Sequence, residues 1–352
     1  MTKATFLNQL NERMAGLPES ERERLRAYFT EMIDDRIEMG MDEETAVEAL
    51  GTPEDLLKDI EPTVFAVPSI QSRDSQSCSG EIREIHIHLK NADATLQKAP
   101  LPGQASAQLR ASDLNHFTWS LADGVLTVSE SAEVRRGLFR REARMTLVVA
   151  DFTPEKLIAD SYGGDFEIDG LEIADMAVLA SSSGDIRLRR FRCGGRIEVT
   201  SRSGDIRLEG AAIRGDCKLE SMSGDVELRQ LEAASLRVRT ASGDTECGGL
   251  RANTAAIGAV SGDIELNDAL AETSLLCEAT SGDLELNRAI APDTRLSTAS
   301  GDIKVVLPDG IGGAEVRAES RSGDVRAPFG ANPGARCRIQ ARSVSGDIDI
   351  VC

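Results

Sequence analysis

Aromatic residues are scarce in this chain: one Trp, two Tyr and nine Phe among 352 residues, or 3%. A core has to come from Leu, Ile, Val and Ala within a hydrophobic content of 41%. That composition suits the narrow interior of stacked coils better than a broad globular centre. No run approaches the roughly 18–20 apolar residues of a membrane-crossing helix, which excludes an integral helical segment. The opening MTKATFLNQLNERM is amphipathic and lacks the apolar stretch of a secretory signal, so the expected compartment is the cytoplasm. Basic charge is also short, with 40 Lys and Arg against 59 Asp and Glu and a formal net charge of −19. Nucleic-acid binding is therefore not expected, because a phosphate backbone needs a basic surface. GxSxG, HExxH, P-loop and GxGxxG contexts are missing, and with them the expectation of an enzyme or a cofactor. Cys78, Cys193, Cys217, Cys247, Cys277, Cys337 and Cys352 are odd in number and show no CxxC or Cys/His ligand spacing. They are expected to pack as small hydrophobes.

What the chain has in abundance is one corner. GGD at 163–165 is followed by SGD ending at Asp185, Asp205, Asp225, Asp244, Asp263, Asp283, Asp302, Asp324 and Asp347, at intervals of 20, 20, 20, 19, 19, 20, 19, 22 and 23 residues. A fixed period of about twenty residues predicts a solenoid, in which each repeat buries its apolar face by stacking on its neighbours. Aligned on the Asp, the sixth residue before it is Ala159, Leu179, Val199, Leu219, Val238, Ile257, Cys277, Leu296, Ala318 or Ala341. The residue after it is Phe166, Ile186, Ile206, Val226, Thr245, Ile264, Leu284, Ile303, Val325 or Ile348. One position further on, every repeat carries a charge: Glu167, Arg187, Arg207, Glu227, Glu246, Glu265, Glu285, Lys304, Arg326 and Asp349. Alternation on both sides of the corner predicts two short strands per coil, and the outward charges fix their register, since a one-residue slip would bury them all. The predicted fold is mainly β: a parallel β-solenoid of about ten coils, each closed by a turn of variable sequence.

The corner itself has two readings. Gly accepts the positive φ of a sharp turn and Asp bonds nearby backbone amides, which is a purely structural role. Alternatively the ladder Asp185, Asp205, Asp225, Asp244, Asp263, Asp283 and Asp302 binds divalent cations, as stacked carboxylates repel one another. The known calcium repeat, however, needs GGxGxD at nine-residue spacing. His86 and His88 share one strand face, but a metal site needs more ligands than the pair supplies. Two basic runs stand out as candidate interaction patches: Arg135, Arg136, Arg140, Arg141 and Arg144 in the first, and Arg187, Arg189, Arg190, Arg192 and Arg196 in the second. Each encloses a Phe, as membrane-surface and nucleic-acid patches do, although exposed loop charge is the simpler explanation and the one expected.

Upstream of the repeats the period changes. Residues 1–61 are expected to form a small helical domain, with Phe6, Leu10 and Met14 on one stripe and Leu25, Tyr28, Phe29, Met32, Ile33 and Ile37 on another. Asp42 is placed to cap a short helix ending near Gly51, and Thr52-Pro53 to open one through Ile60. Residues 62–80 read as a Pro/Ser linker. Residues 81–156 read as an irregular β entrance that covers one end of the stack, with strands near 106–111, 116–121, 125–129 and 143–150; regular repeats fill residues 157–352. At the far end the last inward residue, Ile350, lies two residues from the terminus. The C-terminal coil is thus expected to leave an open parallel edge for self-association, unless LPDGIGGAEV or APFGANPGARC folds over it.

Two family resemblances follow from these residues. The run LPESERERLRAYFTEMIDDRIEMGMDEETAVEALGTPEDLLKDI resembles the HAAS (DUF1700-like) helical signalling domain. In that family membrane helices commonly follow, and neighbouring genes often encode PadR-type regulators. The S-x-SGD-I-x-L repeats, with EIREIHIHLKNADATL and LADGVLTVSES before them, are similar to the DUF4097 β-strand-repeat family, whose label is that of a candidate adhesin. Together the resemblances imply a noncatalytic β-solenoid interaction module in regulation or envelope stress signalling. Its helical head would recruit a protein partner, a PadR-type regulator by resemblance. The alternatives are a scaffold that polymerises through solenoid ends and, more weakly, cation binding along the Asp ladder.

Overall fold

Alternating apolar residues on either side of each corner form two stacked parallel ladders in a computed structural model. It describes residues 2–13, 30, 33, 42–48, 75–101, 106–131, 143–308, 314–327, 335 and 337–351. Strands after the corner build one sheet: Ile186–Arg189 lies in parallel between Phe166–Asp169 and Ile206–Glu209, with Leu188 level with Ile168 and Leu208. Strands before the corner build the other, with Leu179 level with Ala159 and Val199. Like thus stacks on like, and the two inward columns meet in one continuous buried cluster. The solenoid has about nine turns, because the tenth corner belongs to a coil that ends at its second strand, Ile348–Val351.

Each coil also has a third side that the corner alignment leaves as a variable turn. Leu171 and Ile173, Phe191 and Cys193, Ala211 and Ile213, Leu231 and Ala233, Leu250 and Ala252, Ala269 and Ala271, and Ala289 and Ala291 are all buried there. The short strands Glu172–Ile173 and Arg192–Cys193 begin this face, and Ala212–Ser221 continues it into the pre-corner sheet. The turn that enters it requires left-handed backbone. Gly170, Gly210 and Gly249 supply this without cost, whereas Arg190, Gln230, Asp268 and Arg288 adopt φ of 50° to 53°. A non-glycine residue there costs about 1–2 kcal/mol. Paired guanidinium–carboxylate bonds of Arg190 to Asp169 and of Arg288 to Asp268 on adjacent rungs offset part of it.

Chain order and stacking order part company at both ends. The strand Glu84–Leu89 precedes both of its partners in sequence, yet it lies between them, Lys156–Ser161 on one side and Val125–Glu130 on the other. Likewise Asp93–Lys98 lies between Phe166–Asp169 and Arg144–Val149. Antiparallel strands then close this end: Phe117–Ala122 on one sheet, and Ala107–Ala111 followed by Ser75–Cys78 on the other. Glu130 pins the arrangement, its carboxylate accepting the successive amides of Lys90, Asn91 and Ala92 at 2.7, 2.9 and 3.0 Å.

At the opposite end Cys337–Ser345 inserts between Asp293–Ser300 and Ala314–Ser322, and Ile348–Val351 inserts between Ile303–Val306 and Val325–Arg326. The expectation that the C-terminal coil forms the open end is therefore corrected: the exposed rung is the penultimate one, 314–327. The two long intervals in the period, 22 and 23 residues, flank this exchange. Their extra residues readily span the ~4.8 Å needed to step over a rung. The segments expected to cover the end lie largely outside the described residues.

Five thiols sit in the interior, at Cys193, Cys217, Cys247, Cys277 and Cys337. Burial pushes Cys217 and Cys247 up to about 12, and Cys277 is raised further by the same cause. The neutral thiol is thus the folded form. Its contribution is complete below the ordinary thiol value and is lost as pH rises from about 9 towards the raised values. At pH 8 we expect no more than two of the seven thiols to react with Ellman's reagent in the native protein. The other five should react at least about 100-fold more slowly, at the rate of unfolding. A fast native phase of more than two thiols contradicts this packing.

The chain divides into two units, one at the helical N-terminus and one containing the solenoid. In the first, helices Lys3–Arg13 and Glu43–Glu48 are described. Asp42 caps the second, accepting the Thr45 amide at 3.1 Å, as its sequence position predicts. The Lys3 amide donates to Glu43 Oε1 at 2.7 Å, and Phe6, Leu7, Ile33 and Val47 are buried. Of the second predicted stripe only Ile33 is described, and the helix expected over 52–60 lies outside the described residues.

Candidate interaction surfaces

The corner carboxylates form a continuous hydrogen-bonded ladder. Oδ1 of Asp165 accepts the backbone N–H of Asp185 at 2.8 Å, and Asp185 accepts that of Asp205 at 2.9 Å. The pattern continues through Asp225, Asp244, Asp263, Asp283 and Asp302. It also follows the rung exchange, since Asp302 accepts from Asp347 and Asp347 from Asp324. At the other end Asp93, in an Asn-Ala-Asp corner, accepts from Asp165. Asp93 is a corner that the Ser-Gly-Asp pattern does not reveal, although its Asp is in place.

Glycine precedes the Asp for a reason other than turn conformation. A Cβ on Gly224 would lie 2.1 Å from the carbonyl oxygen of Gly204, and the other corner glycines meet the rung below in the same way. At Gly164, Gly184, Gly204, Gly224, Gly243, Gly262 and Gly282 the backbone is not left-handed. The positive-φ explanation is thus replaced there by close rung-to-rung approach.

We expect Asp225→Ala, which strips the Asp244 amide of its acceptor, to cost about 1–2 kcal/mol. Asp225→Asn keeps an acceptor oxygen and should cost less. Millimolar calcium should leave the melting temperature of all three proteins unchanged. A calcium-dependent rise that disappears in Asp225→Asn would instead establish a cation site.

The second basic run is largely neutralised by its neighbours. Arg187 bonds Asp165 and Asp185, and Arg207 bonds Asp185, Asp205 and Glu227, which relieves repulsion in this part of the ladder. Arg189 lies 3.0 Å from Glu167 and 3.7 Å from Glu209, and Arg190 pairs with Asp169. Arg192 is exposed and has no carboxylate partner among the described residues. Arg135, Arg136, Arg140 and Arg141 of the first run lie outside the described residues, while Arg144 sits 3.4 Å from Asp93. Among the described residues Arg187, Arg189 and Arg190 are thus each matched by acidic side chains.

The histidine pair also has acidic neighbours, Glu84 beside it in the chain and Asp160, 72 residues from His88, brought in by the stacking. His86 lies 3.0 Å from Glu84, and His88 hydrogen-bonds Asp160 of the next rung. Glu84 is held below the ordinary carboxylate value by its hydrogen bond from Lys156 and then by His86. Among the described residues no group of three or more His, Cys, Asp or Glu side chains is placed to hold a metal ion.

A further surface escapes the column reading. The third residue before each Asp points outward, and Tyr162, Met222, Val260 and Val344 in this column are large, exposed apolar residues. From Met222 the column runs Ala241, Val260, Thr280, Ala299 and, after the rung exchange, Val344, with no charge. Its signal was present in the same alignment, but outward residues do not reveal themselves through apolar periodicity.

Three solved structures share the overall likeness at low identity. They are a candidate lipid-binding protein from Parabacteroides distasonis (14% identity, TM-score 0.42, 79% of this chain and 97% of that one), a candidate adhesin from Bacteroides fragilis (15%, 0.33, 80% and 97%), and a candidate cell-adhesion protein from Clostridium sporogenes (10%, 0.18, 79% and 98%). No curated protein matches the chain. The HAAS family model matches residues 5–59. The Toastrack DUF4097 model matches residues 80–229 and 197–351, well over half of the sequence, and the chain belongs to that family.

Proposed function

We propose that this protein is a noncatalytic interaction module, with a helical head that recruits a protein partner and a Toastrack rod that acts as a rigid spacer and platform. The observation that carries this reading is the use made of the repeated polar groups. From Asp165 through Asp302, and again at Asp347, the corner Asp spends Oδ1 on the amide of the next rung, and outward charges of opposite sign pair between rungs, as Arg189 with Glu167 and Lys304 with Glu285. Most of the corner's polar groups are thereby used in building the rod, and the specific features remain in the head and the rod's outer columns. Thiols used as buried packing groups support a reducing compartment, which we take to be the cytoplasm.

The HAAS match over residues 5–59 supports a signalling role for the head, with a PadR-type regulator as the partner to test. Biolayer interferometry of the full chain against the PadR-type regulator encoded nearest its gene tests this. Binding by the full chain that is lost on removing residues 1–61 is the expected result. Absent binding, or binding indifferent to the head, overturns the recruitment reading.

A further inference from the structure

The exposed end of the rod carries a charge pattern that is its own complement. The edge strand Ala314–Ser322 pairs on one side with Cys337–Ser345, and among the described residues nothing pairs with its other side. Its charged residues Glu315, Arg317, Glu319 and Arg321 alternate in sign, and between them lie Val316, Ala318 and Ser320. Glu315, the least exposed of the four, already bonds Arg317 and Arg338, and Glu319 lies 3.7 Å from Arg342, so a second copy would share these carboxylates. The rung is incompletely covered: Val325 is 44% exposed, and Val316, Ala318 and Ala327 are only partly buried.

From this we infer that two copies of the chain join end to end, the strands Ala314–Ser322 pairing antiparallel about a two-fold axis at Ala318. Directly opposed residues of an antiparallel pair share a face and interact. With the axis at Ala318, Arg317 meets Glu319 of the second copy and Glu315 meets its Arg321, and the symmetry doubles each contact. Val316 then faces Ser320, Ala318 faces itself, and the small inward residues of both rungs cover one another. An isologous joint of this kind closes on itself, so assembly stops at two.

The competing geometries fit poorly. A parallel, in-register copy of the same strand would set Glu on Glu and Arg on Arg. Continued head-to-tail growth would bring the opposite end of the rod to this edge. That end presents Phe117–Ala122 and Ser75–Cys78, antiparallel edge strands without a single charged residue. They offer no complement to an edge of alternating sign. The joint does not depend on the partner of the helical head.

Sedimentation velocity of the full, reduced chain over a wide concentration range tests the joint. The wild type should pass from monomer to dimer and go no further. An acidic-edge variant, Arg317→Glu with Arg321→Glu, and a basic-edge variant, Glu315→Arg with Glu319→Arg, should each dimerise at least about tenfold more weakly, since like charges oppose across the axis. Mixed in equal amounts, the two should form a heterodimer. Circular dichroism melts confirm that both fold.

As a second, independent reading, Ala318→Cys should cross-link to itself on oxidation, because directly opposed strand residues suit disulfide geometry. Ser320→Cys, which faces Val316, should not. A wild type that stays monomeric, growth beyond the dimer, charge variants that dimerise like the wild type, or a mixture that fails to associate would each overturn the proposal.

Discussion

Gly224→Ala should lose at least about 3 kcal/mol of stability in chemical denaturation, a large effect for one methyl group. The added Cβ would stand 2.1 Å from the carbonyl oxygen of Gly204, 2.5 Å from its carbonyl carbon and 3.0 Å from the Asp205 nitrogen. All three are backbone atoms, so no side chain can rotate out of the way. Relief requires the rungs to separate at the corner. That separation would stretch the Asp225 amide bond to Asp205, at 3.0 Å. The control is Gly248→Ala, whose Cβ would meet nothing within 4 Å. It should change stability by no more than about 0.5 kcal/mol. Equal, small losses at both positions would show that the corner tolerates a side chain and that close approach is not what selects glycine.

Ile348→Ala should cost about 2–4 kcal/mol, and Val325→Ala less than about 1 kcal/mol, although Val325 is further from the chain terminus. The two residues occupy the same place in the repeat, one after the corner Asp. Ile348 is 1% exposed because Val325–Arg326 and Ile303–Val306 cover it on both sides, whereas Val325 belongs to the outer rung. Had the rungs stacked in chain order, Ile348 would be the frayed residue and the costs would reverse. Hydrogen exchange provides the readout if terminal fraying escapes global denaturation. Amides of 337–345 and 348–351 should exchange more slowly than those of 314–326. The opposite order would place the C-terminal coil at the end after all.

Much of this architecture was legible in the linear pattern. Residues one, two and three after each Asp read inward, outward, inward, and the structure buries Ile206 and Leu208 around a half-exposed Arg207 as that reading requires. The strands of the entrance were equally plain, with Ala107–Ala111, Phe117–Ala122, Val125–Glu130 and Arg144–Val149 close to their expected limits. The third side of each coil was not legible, because its inward pairs vary from Leu171 and Ile173 to Ala289 and Ala291 and the turns before them carry Gly, Arg, Gln or Asp. The candidate site fared less well. Alignment singled out Arg189 and Arg190 as basic but was blind to Glu167 and Asp169, one rung away, which neutralise them.

By itself, the sequence determined the repeat, its register and which side chains turn inward, because a strand's period of two and a corner every twenty residues are local properties of the chain. Only the tertiary structure decided the order of the rungs. Every rung offers the same hydrogen-bonding edge at the same spacing, so local pattern cannot distinguish a coil that stacks last from one that slips in beneath its predecessor. Connection length and the burial gained at the ends settle that choice, and they are properties of the assembled stack. The choice moves Ile348 into the core and leaves Glu315, Arg317, Glu319 and Arg321 at the open edge.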